Sequence, residues 1–245
     1  MLENKIIIVT GGASGLGLET AEKLLKEKAT VIVFDIDRSK LSTLNKSFVT
    51  YHVDVTSYDQ VQSAVDDIIE KFGSIDVLVN NAGVIYSEPL INIMAKDDRK
   101  HSLESFKKYL DINLTSVFIV SSIVIEKMVI KRTKGVVVNI SSISAQGNAG
   151  QTVYSAAKAG VEALTKTWSK ELGMFGIRVV ALAPGFMDTE STHQALNERM
   201  ISDLKQRVPL KNLGSAKDVS EAVVYAIKSD YVNGAVLKID GGLTL

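Results

Sequence analysis

Tyr154 and Lys158 stand four residues apart in a stretch with helical character, so their side chains share one face. A phenol ionises near pH ~10 and is a poor base at neutrality, but a nearby ammonium favours the phenolate. Lowering it by ~2–3 units needs roughly 3–4 kcal/mol of charge stabilisation, within reach of a partly desolvated lysine at close range. Such a pair takes a proton from an alcohol, or gives one to a developing alkoxide. Two serines at the end of a preceding strand-like run, Ser141 and Ser142, compete to hydrogen-bond the same oxygen. Taken alone, a Tyr-x-x-x-Lys pair is more often plain helix surface than a site. Its weight comes from what precedes it.

Near the start of the chain, Thr10-Gly11-Gly12-Ala13-Ser14-Gly15-Leu16-Gly17 follows a first strand-like run and enters a helix. Glycines at such a turn let the backbone approach a pyrophosphate, and the helix N-terminus adds free N–H groups and partial positive charge. Gly11, Ser14, Gly15, Leu16 and Gly17 are therefore candidates for holding a dinucleotide. The second strand ends in Val33-Phe34-Asp35, and the Asp35 carboxylate can accept hydrogen bonds from the adenosine ribose. It would repel a 2′-phosphate, and the glycine loop holds no Arg or Lys to rescue one. Arg38 is the nearby cation that offers the alternative. The balance favours NAD(H) over NADP(H).

The elements that must position these residues are legible as an alternation. Strand-like runs at Ile6-Val9, Val31-Phe34, Val49-Val53, Val77-Val79, Val136-Ile140, Arg178-Ala183 and Ala235-Ile239 alternate with helical patterns. Most are continuously apolar, as in a parallel sheet covered on both faces. Ser57-Tyr58-Asp59-Gln60 reads as a capping box ahead of a helix ending at Gly73, and Ser215 with Asp218 opens the last helix. Neither a linker nor a repeat interrupts the pattern. The expectation is an α/β fold over residues 1–245: one Rossmann domain with a doubly wound, seven-stranded parallel sheet.

The pattern Thr-Gly-x-x-x-Gly-x-Gly resembles the short-chain dehydrogenases/reductases. Further motifs agree in order: Asn80-Asn81-Ala82-Gly83, Asn113, Ser141, Tyr154-x-x-x-Lys158, then Pro184-Gly185 with Thr189. The resemblance spans nearly the whole chain. It implies hydride transfer between nicotinamide and an alcohol or ketone carbon, without a metal. It also implies that Asp54 and Val55 lie beside the adenine, and that Asn81, Ala82 and Gly83 line the cofactor groove. Pro184, Gly185, Met187 and Thr189 approach the nicotinamide, with Thr189 on its carboxamide. Tyr154 is then the proton carrier, helped by the charge of oxidised nicotinamide. Lys158 also grips the ribose, Asn113 holds a water that relays protons, and the family spacing selects Ser141 over Ser142.

Selectivity should reside after Gly83, after Ser141 and from Phe186 onward. The first segment carries Tyr86 and the polar stretch Lys96-Asp97-Asp98-Arg99-Lys100-His101, which is longer than in 3-oxoacyl carrier-protein reductases and nearer in length to short-chain 3-hydroxyacyl-CoA dehydrogenases. The last carries Met187, Ala195, Leu196 and Met200, which read either as an apolar lid or as ordinary packing. A 3-hydroxyacyl or 3-oxoacyl thioester is the preferred substrate. The alternatives are an NADP(H)-dependent reductase of a steroid, sugar or secondary-metabolite ketone, and a catalytically silent NAD-binding scaffold. The resemblance further implies a homotetramer or dimer built on the helices at Val117–Ile130 and from Tyr154.

Composition narrows the classes. The 245 residues carry 28 basic and 28 acidic side chains, so no global field recruits nucleic acid. There are no cysteines, which excludes disulfides and thiolate catalysis and suits a cytoplasmic setting. His52, His101 and His193 have no metal-ligand spacing. Nothing resembles a signal peptide, and Val117–Ile130 reads as a buried helix, too short and polar to cross a bilayer.

Overall fold

The continuous apolar runs at the centre of the sheet become strands buried on both faces, and the two edge strands are partly exposed. In the computed structural model, which describes residues 2–189, 192–193 and 197–244, seven strands join one sheet. They are β1 (Ile6–Thr10), β2 (Thr30–Asp35), β3 (Val49–His52), β4 (Val77–Asn80), β5 (Val136–Ile140), β6 (Arg178–Pro184) and β7 (Val236–Ile239). The order is β3-β2-β1-β4-β5-β6-β7 and every pairing is parallel. Chain direction across the sheet reverses between β1 and β4, so a crevice opens beyond their carboxyl ends, where doubly wound folds bind ligands.

The described helices are α1 (Gly15–Lys26), α2 (Arg38–Thr43), α3 (Tyr58–Phe72), α4 (Leu103–Leu110), α5 (Ser116–Ile130), α6 (Thr152–Glu171), α7 (Glu198–Arg207) and α8 (Ala216–Lys228). Strand side chains alternate between faces. Ile7, Val9, Val31, Val33, Val138 and Leu182 pack with Leu24 of α1 and Val219 and Val223 of α8. Ile8, Ile32, Phe34, Leu78, Val137 and Val179 pack on the other side, with Val61, Val65 and Ile68 of α3 and Val120, Val124 and Met128 of α5. Each such side chain contributes roughly 1.5–3 kcal/mol by leaving water, which makes this two-sided burial the main force holding the layers.

Helix ends follow the sequence with one exception. Ser215 and Asp218 form a complete capping box. At α3 the Ser57 side chain accepts from the Gln60 amide, but the Gln60 side chain accepts instead from the Asp54 amide at 3.0 Å. That box is half-made, and Gln60 ties the helix to the loop after β3.

The segment before α5 also differs from expectation. A π-helical turn, Asp111–Thr115, fuses α4 to α5, giving a continuous run of 28 residues, Leu103–Ile130. By length and composition this run suffices to cross a membrane, so the expectation of a short helix is overturned. Half of its most apolar window is buried in the protein. The inner face of α5 carries Val117, Val120, Ile123, Val124 and Met128, while Phe118 and Ile130 face outward.

A buried polar chain crosses the core beneath the strand ends. Asn80 Nδ2 donates to Ser121 Oγ and to Asn139 Oδ1, both at 2.8 Å. Asn139 Nδ2 donates to Thr165 Oγ1 at 2.9 Å. This links β4, β5, α5 and α6, and leaving any member unpaired would cost about 1–3 kcal/mol.

Candidate active site

The glycine loop has the backbone its sequence requires. Gly11 and Gly15 adopt φ of +62° and +55°, in the left-handed region. A Cβ on Gly17 would stand 2.1 Å from the Gly11 carbonyl oxygen, so α1 can approach β1 only because residue 17 is glycine. The loop is held from β4: Asn81 Nδ2 donates to the carbonyl oxygens of Thr10 and Gly11, and Thr10 Oγ1 accepts from the Asn81 and Ala82 amides. Ser14 stands at the α1 N-cap without a side-chain capping bond, and the first turn carries no acid. Free amides beside open space at Gly15 suit a pyrophosphate, so these residues fit a dinucleotide.

Asp35 closes the loop from the end of β2. One carboxylate oxygen accepts from the Ala13 amide and the other from the Asp37 amide, both at 3.0 Å. Besides Arg38, a second cation stands at this loop: Lys40, whose Nζ lies 3.5 Å from Ser14 Oγ and 3.8 Å from Asp37. Sequence reasoning missed it because residue 40 reaches back only through the turn of α2. Asp54 caps a local turn, accepting from the Thr56 amide and hydroxyl, with Val55 half-buried beside it.

Tyr154 and Lys158 lie on one face of α6 and are 8 % and 4 % exposed. Lys158 Nζ donates to the Ile140 carbonyl oxygen at 2.8 Å and sits 5.7 Å from the Tyr154 ring centroid. Burial pushes the lysine down to about 8. It also raises the Tyr154 phenol, opposed by a hydrogen bond from Ser142. The chain's own residues therefore do not produce the lowered phenol expected from the sequence. Desolvation dominates, and the ammonium is engaged by a carbonyl.

The serine assignment changes too. Ser142, not Ser141, hydrogen-bonds Tyr154. Ser141 Oγ faces α6, 3.0 Å from Glu162 Oε1 and 3.3 Å from the Lys158 carbonyl oxygen. Neighbouring residues on extended backbone point to opposite sides, so one of the pair had to turn away. The spacing rule presumes a fixed loop path. Here a 3₁₀ turn, Ile143–Gln146, and glycines at positive φ, Gly147 and Gly150, set the path to Tyr154.

Asn113 is fully buried in the π-helical turn. Its Oδ1 accepts from the Val84 amide, and its Nδ2 donates to the carbonyl oxygens of Val84 and Tyr109. Both amide hydrogens are thus engaged by backbone, so the side chain anchors the chain leaving β4 and has no donor left for a relay water. Gly83 is forced: a Cβ there would stand 2.8 Å from Asn113 Oδ1.

Beyond β6, Pro184 pairs with Ile239, and Gly185 packs so closely on Asp240 that a Cβ would meet its Cα at 2.9 Å. Met187 is buried against Gly214 and the core, so its side chain is packing and not a lid. Thr189 Oγ1 lies 3.0 Å from Thr192 Oγ1. Met200 is half-exposed on α7, and the lid residues Ala195 and Leu196 fall outside the described residues.

The segment after Gly83 forms a wall beside Tyr154. Glu88 pairs with Gln151, just before α6. Tyr86 stacks on Tyr109 of α4 at 3.7 Å and donates to Glu88 at 2.6 Å. The Tyr86 hydroxyl, then the Ser102 amide, hold the Glu88 carboxyl below its ordinary value.

Comparison with known proteins agrees with this geometry. Residues 5–200 match the family described as short chain dehydrogenase. The chain is 39% identical to a 3-oxoacyl-[acyl-carrier-protein] reductase of Thermotoga maritima, covering 100% of this chain and 99% of that one. It is 34% identical to 3-hydroxyacyl-CoA dehydrogenase type-2 of Bos taurus, over 98% and 95% of the two chains. The ligand-free aldohexose dehydrogenase of Thermoplasma acidophilum superposes with a TM-score of 0.88 at 29% identity, over 99% and 94%. With the glycine loop at the β1–β4 crevice and the Ser142–Tyr154–Lys158 cluster beyond β5, the chain belongs to the short-chain dehydrogenase family of nicotinamide-dependent oxidoreductases acting on alcohol and ketone carbons.

Proposed function

We propose that the protein is an NAD(H)-dependent oxidoreductase interconverting a 3-oxoacyl thioester and its 3-hydroxyacyl form. The observation that carries the catalytic part is the buried Tyr154 hydroxyl bonded to Ser142, one helical turn from Lys158. Asp35 carries the cofactor part: its two oxygens each take one amide hydrogen, leaving lone pairs for ribose hydroxyls and a charge that repels a 2′-phosphate.

Bound nicotinamide supplies the hydride acceptor or donor. Tyr154 moves the proton: its raised phenol stays protonated, which suits donation to an alkoxide developing from a ketone. Ser142 holds the substrate oxygen and donates to it as charge accumulates. Lys158, positioned by Ile140, supplies positive charge near the phenol and a ribose contact. Asn81 fixes the glycine loop, and Asn113 fixes the start of the substrate wall.

The thioester is favoured over other ketones by the long wall after Gly83 and by the two acyl-acting relatives. Oxidation of NADH by acetoacetyl-CoA, followed at 340 nm with NADPH in parallel, tests both halves. Turnover with NADH supports the proposal; none above background removes the thioester. A sugar substrate is the second reading, favoured by the likeness to an aldohexose dehydrogenase. We further propose a homotetramer or dimer through the outer faces of α5 and α6, where Phe118 is exposed.

A further inference from the structure

The wall after Gly83 contains a cluster that hydride chemistry does not use. Residues 90–101 fold back on themselves as a short antiparallel loop: the His101 amide donates to the Leu90 carbonyl oxygen at 2.9 Å, and the Asn92 amide to the Arg99 carbonyl oxygen at 2.7 Å. At its base Glu88 ties both ends together. One carboxylate oxygen accepts from the Tyr86 hydroxyl, and the other accepts from the Ser102 amide at 2.8 Å. Glu88 also pairs with Gln151, so this base is the part of the insert fixed beside the catalytic helix.

The His101 side chain is sealed into the same base, 4 % exposed, edge-on to the rings of Tyr86 and Phe106. Its Nδ1 lies 3.0 Å from the Glu88 carbonyl oxygen. A carbonyl only accepts, so Nδ1 must carry a hydrogen. In a neutral ring Nε2 then bears a lone pair, and this atom is buried without a partner, 3.8 Å from the Glu88 carboxylate. A lone pair facing a carboxylate is unsatisfied. An N–H there would be satisfied, at the shortening of one contact.

The other groups at the cluster do not compete for this role. The Tyr86 hydroxyl is committed to Glu88 and Ser105, and Tyr109 lies behind it with Lys108 over its ring at 5.7 Å. Lys100 pairs with Asp98, and Arg99 Nε donates to the Ala95 carbonyl oxygen.

We infer that His101 is a positioning residue that takes a proton to complete the Glu88 clasp, and so sets the affinity of the wall for substrate. Protonated, it donates to the backbone and the side chain of Glu88 together, holding the insert against Gln151. Deprotonated, it leaves an orphan acceptor at the base and loosens the wall. The effect falls on substrate binding, because His101 touches neither Tyr154 nor the glycine loop. The substrate assay rests on the proposed thioester activity; the proton itself is read without substrate.

The first test is the ¹⁵N spectrum of the His101 imidazole through a pH titration. The inference requires Nδ1 to stay protonated throughout, while Nε2 gains its hydrogen as pH falls. A bare Nδ1 with a protonated Nε2 in the neutral ring overturns it. The second test compares the protein with its His101→Gln variant at saturating NADH. Relative to the variant, the KM for acetoacetyl-CoA rises about fivefold as the ring loses its proton, a change of ~1 kcal/mol, while the kcat ratio stays flat. A KM ratio independent of pH overturns the inference. If His101→Gln fails to fold, or acetoacetyl-CoA is not a substrate, the imidazole spectrum decides alone.

Discussion

Tyr154 is hydrogen-bonded to Ser142, while Ser141, one residue earlier, turns its hydroxyl toward Glu162 at 3.0 Å. Two adjacent serines therefore do different work. Ser142 faces the groove at the phenol. Ser141 is 2 % exposed and joins the end of β5 to the carbonyl of Lys158 and the next turn of α6.

This division predicts opposite signatures for two alanine substitutions. Ser142→Ala removes a donor aimed at the reacting oxygen and should lower kcat by about 10²–10³-fold, with little change in melting temperature. Ser141→Ala leaves the Glu162 carboxylate short of a partner and should cost about 1 kcal/mol of stability, with kcat within a fewfold of wild type. Steady-state kinetics and thermal melts on both variants decide it. The reverse ranking would return the catalytic role to Ser141.

Tyr154→Phe keeps the ring and removes the transferable proton. Turnover should fall by about 10²–10⁴-fold while NADH still binds, because the glycine loop and Asp35 are untouched. NADH fluorescence titration beside the kinetic assay separates the two. A cellular role that survived this substitution would favour the scaffold reading over catalysis.

What could be foreseen here followed the range of the forces involved. The glycine loop was legible because its chemistry is local: φ signs at Gly11 and Gly15 and the contact at Gly17 depend on adjoining elements. The five central strands were legible because two-sided burial writes itself as unbroken apolar runs such as Ile6–Val9, whereas β3 and β7, at the sheet edges, are only partly buried. Choosing between Ser141 and Ser142 was not, since that depends on the path of an irregular loop. The direction of the Tyr154 shift was not either. Desolvation is set by everything packed around α6, and no spacing rule contains it. Likewise, Asn113 reads as a polar helix residue until the turn of Asp111–Thr115 brings Val84 to its amide.

Cofactor choice turns on a balance between Asp35 and Lys40. Wild type should prefer NADH to NADPH by about tenfold or more, since a 2′-phosphate meets a carboxylate already fixed by Ala13 and Asp37. Asp35→Asn keeps an acceptor but removes the charge, and should narrow the preference by about tenfold, or ~1.4 kcal/mol. Paired titrations, following Trp168 or NADH fluorescence, give the ratio directly. A wild type preferring NADPH would mean that Lys40, with Arg38, outweighs the acid.

Lys158 should make the protein less stable than it would otherwise be, with a defined pH signature. Burial lowers its ammonium from 10.5 to about 8, so the unfolded chain holds its proton more tightly than the folded one. Below about 8 both states are protonated and the full penalty, on the order of 3 kcal/mol, is present without a slope. Between about 8 and 10.5 unfolding takes up a proton, and stability rises with pH. Lys158→Met retains the packing without the charge. It should melt higher than wild type at pH 7, lose this segment of the pH dependence, and turn over far more slowly. Denaturant melts of both proteins across that range check the slope. A Lys158→Met variant less stable than wild type at pH 7 would show that the hydrogen bond to Ile140 outweighs the cost of burying the charge.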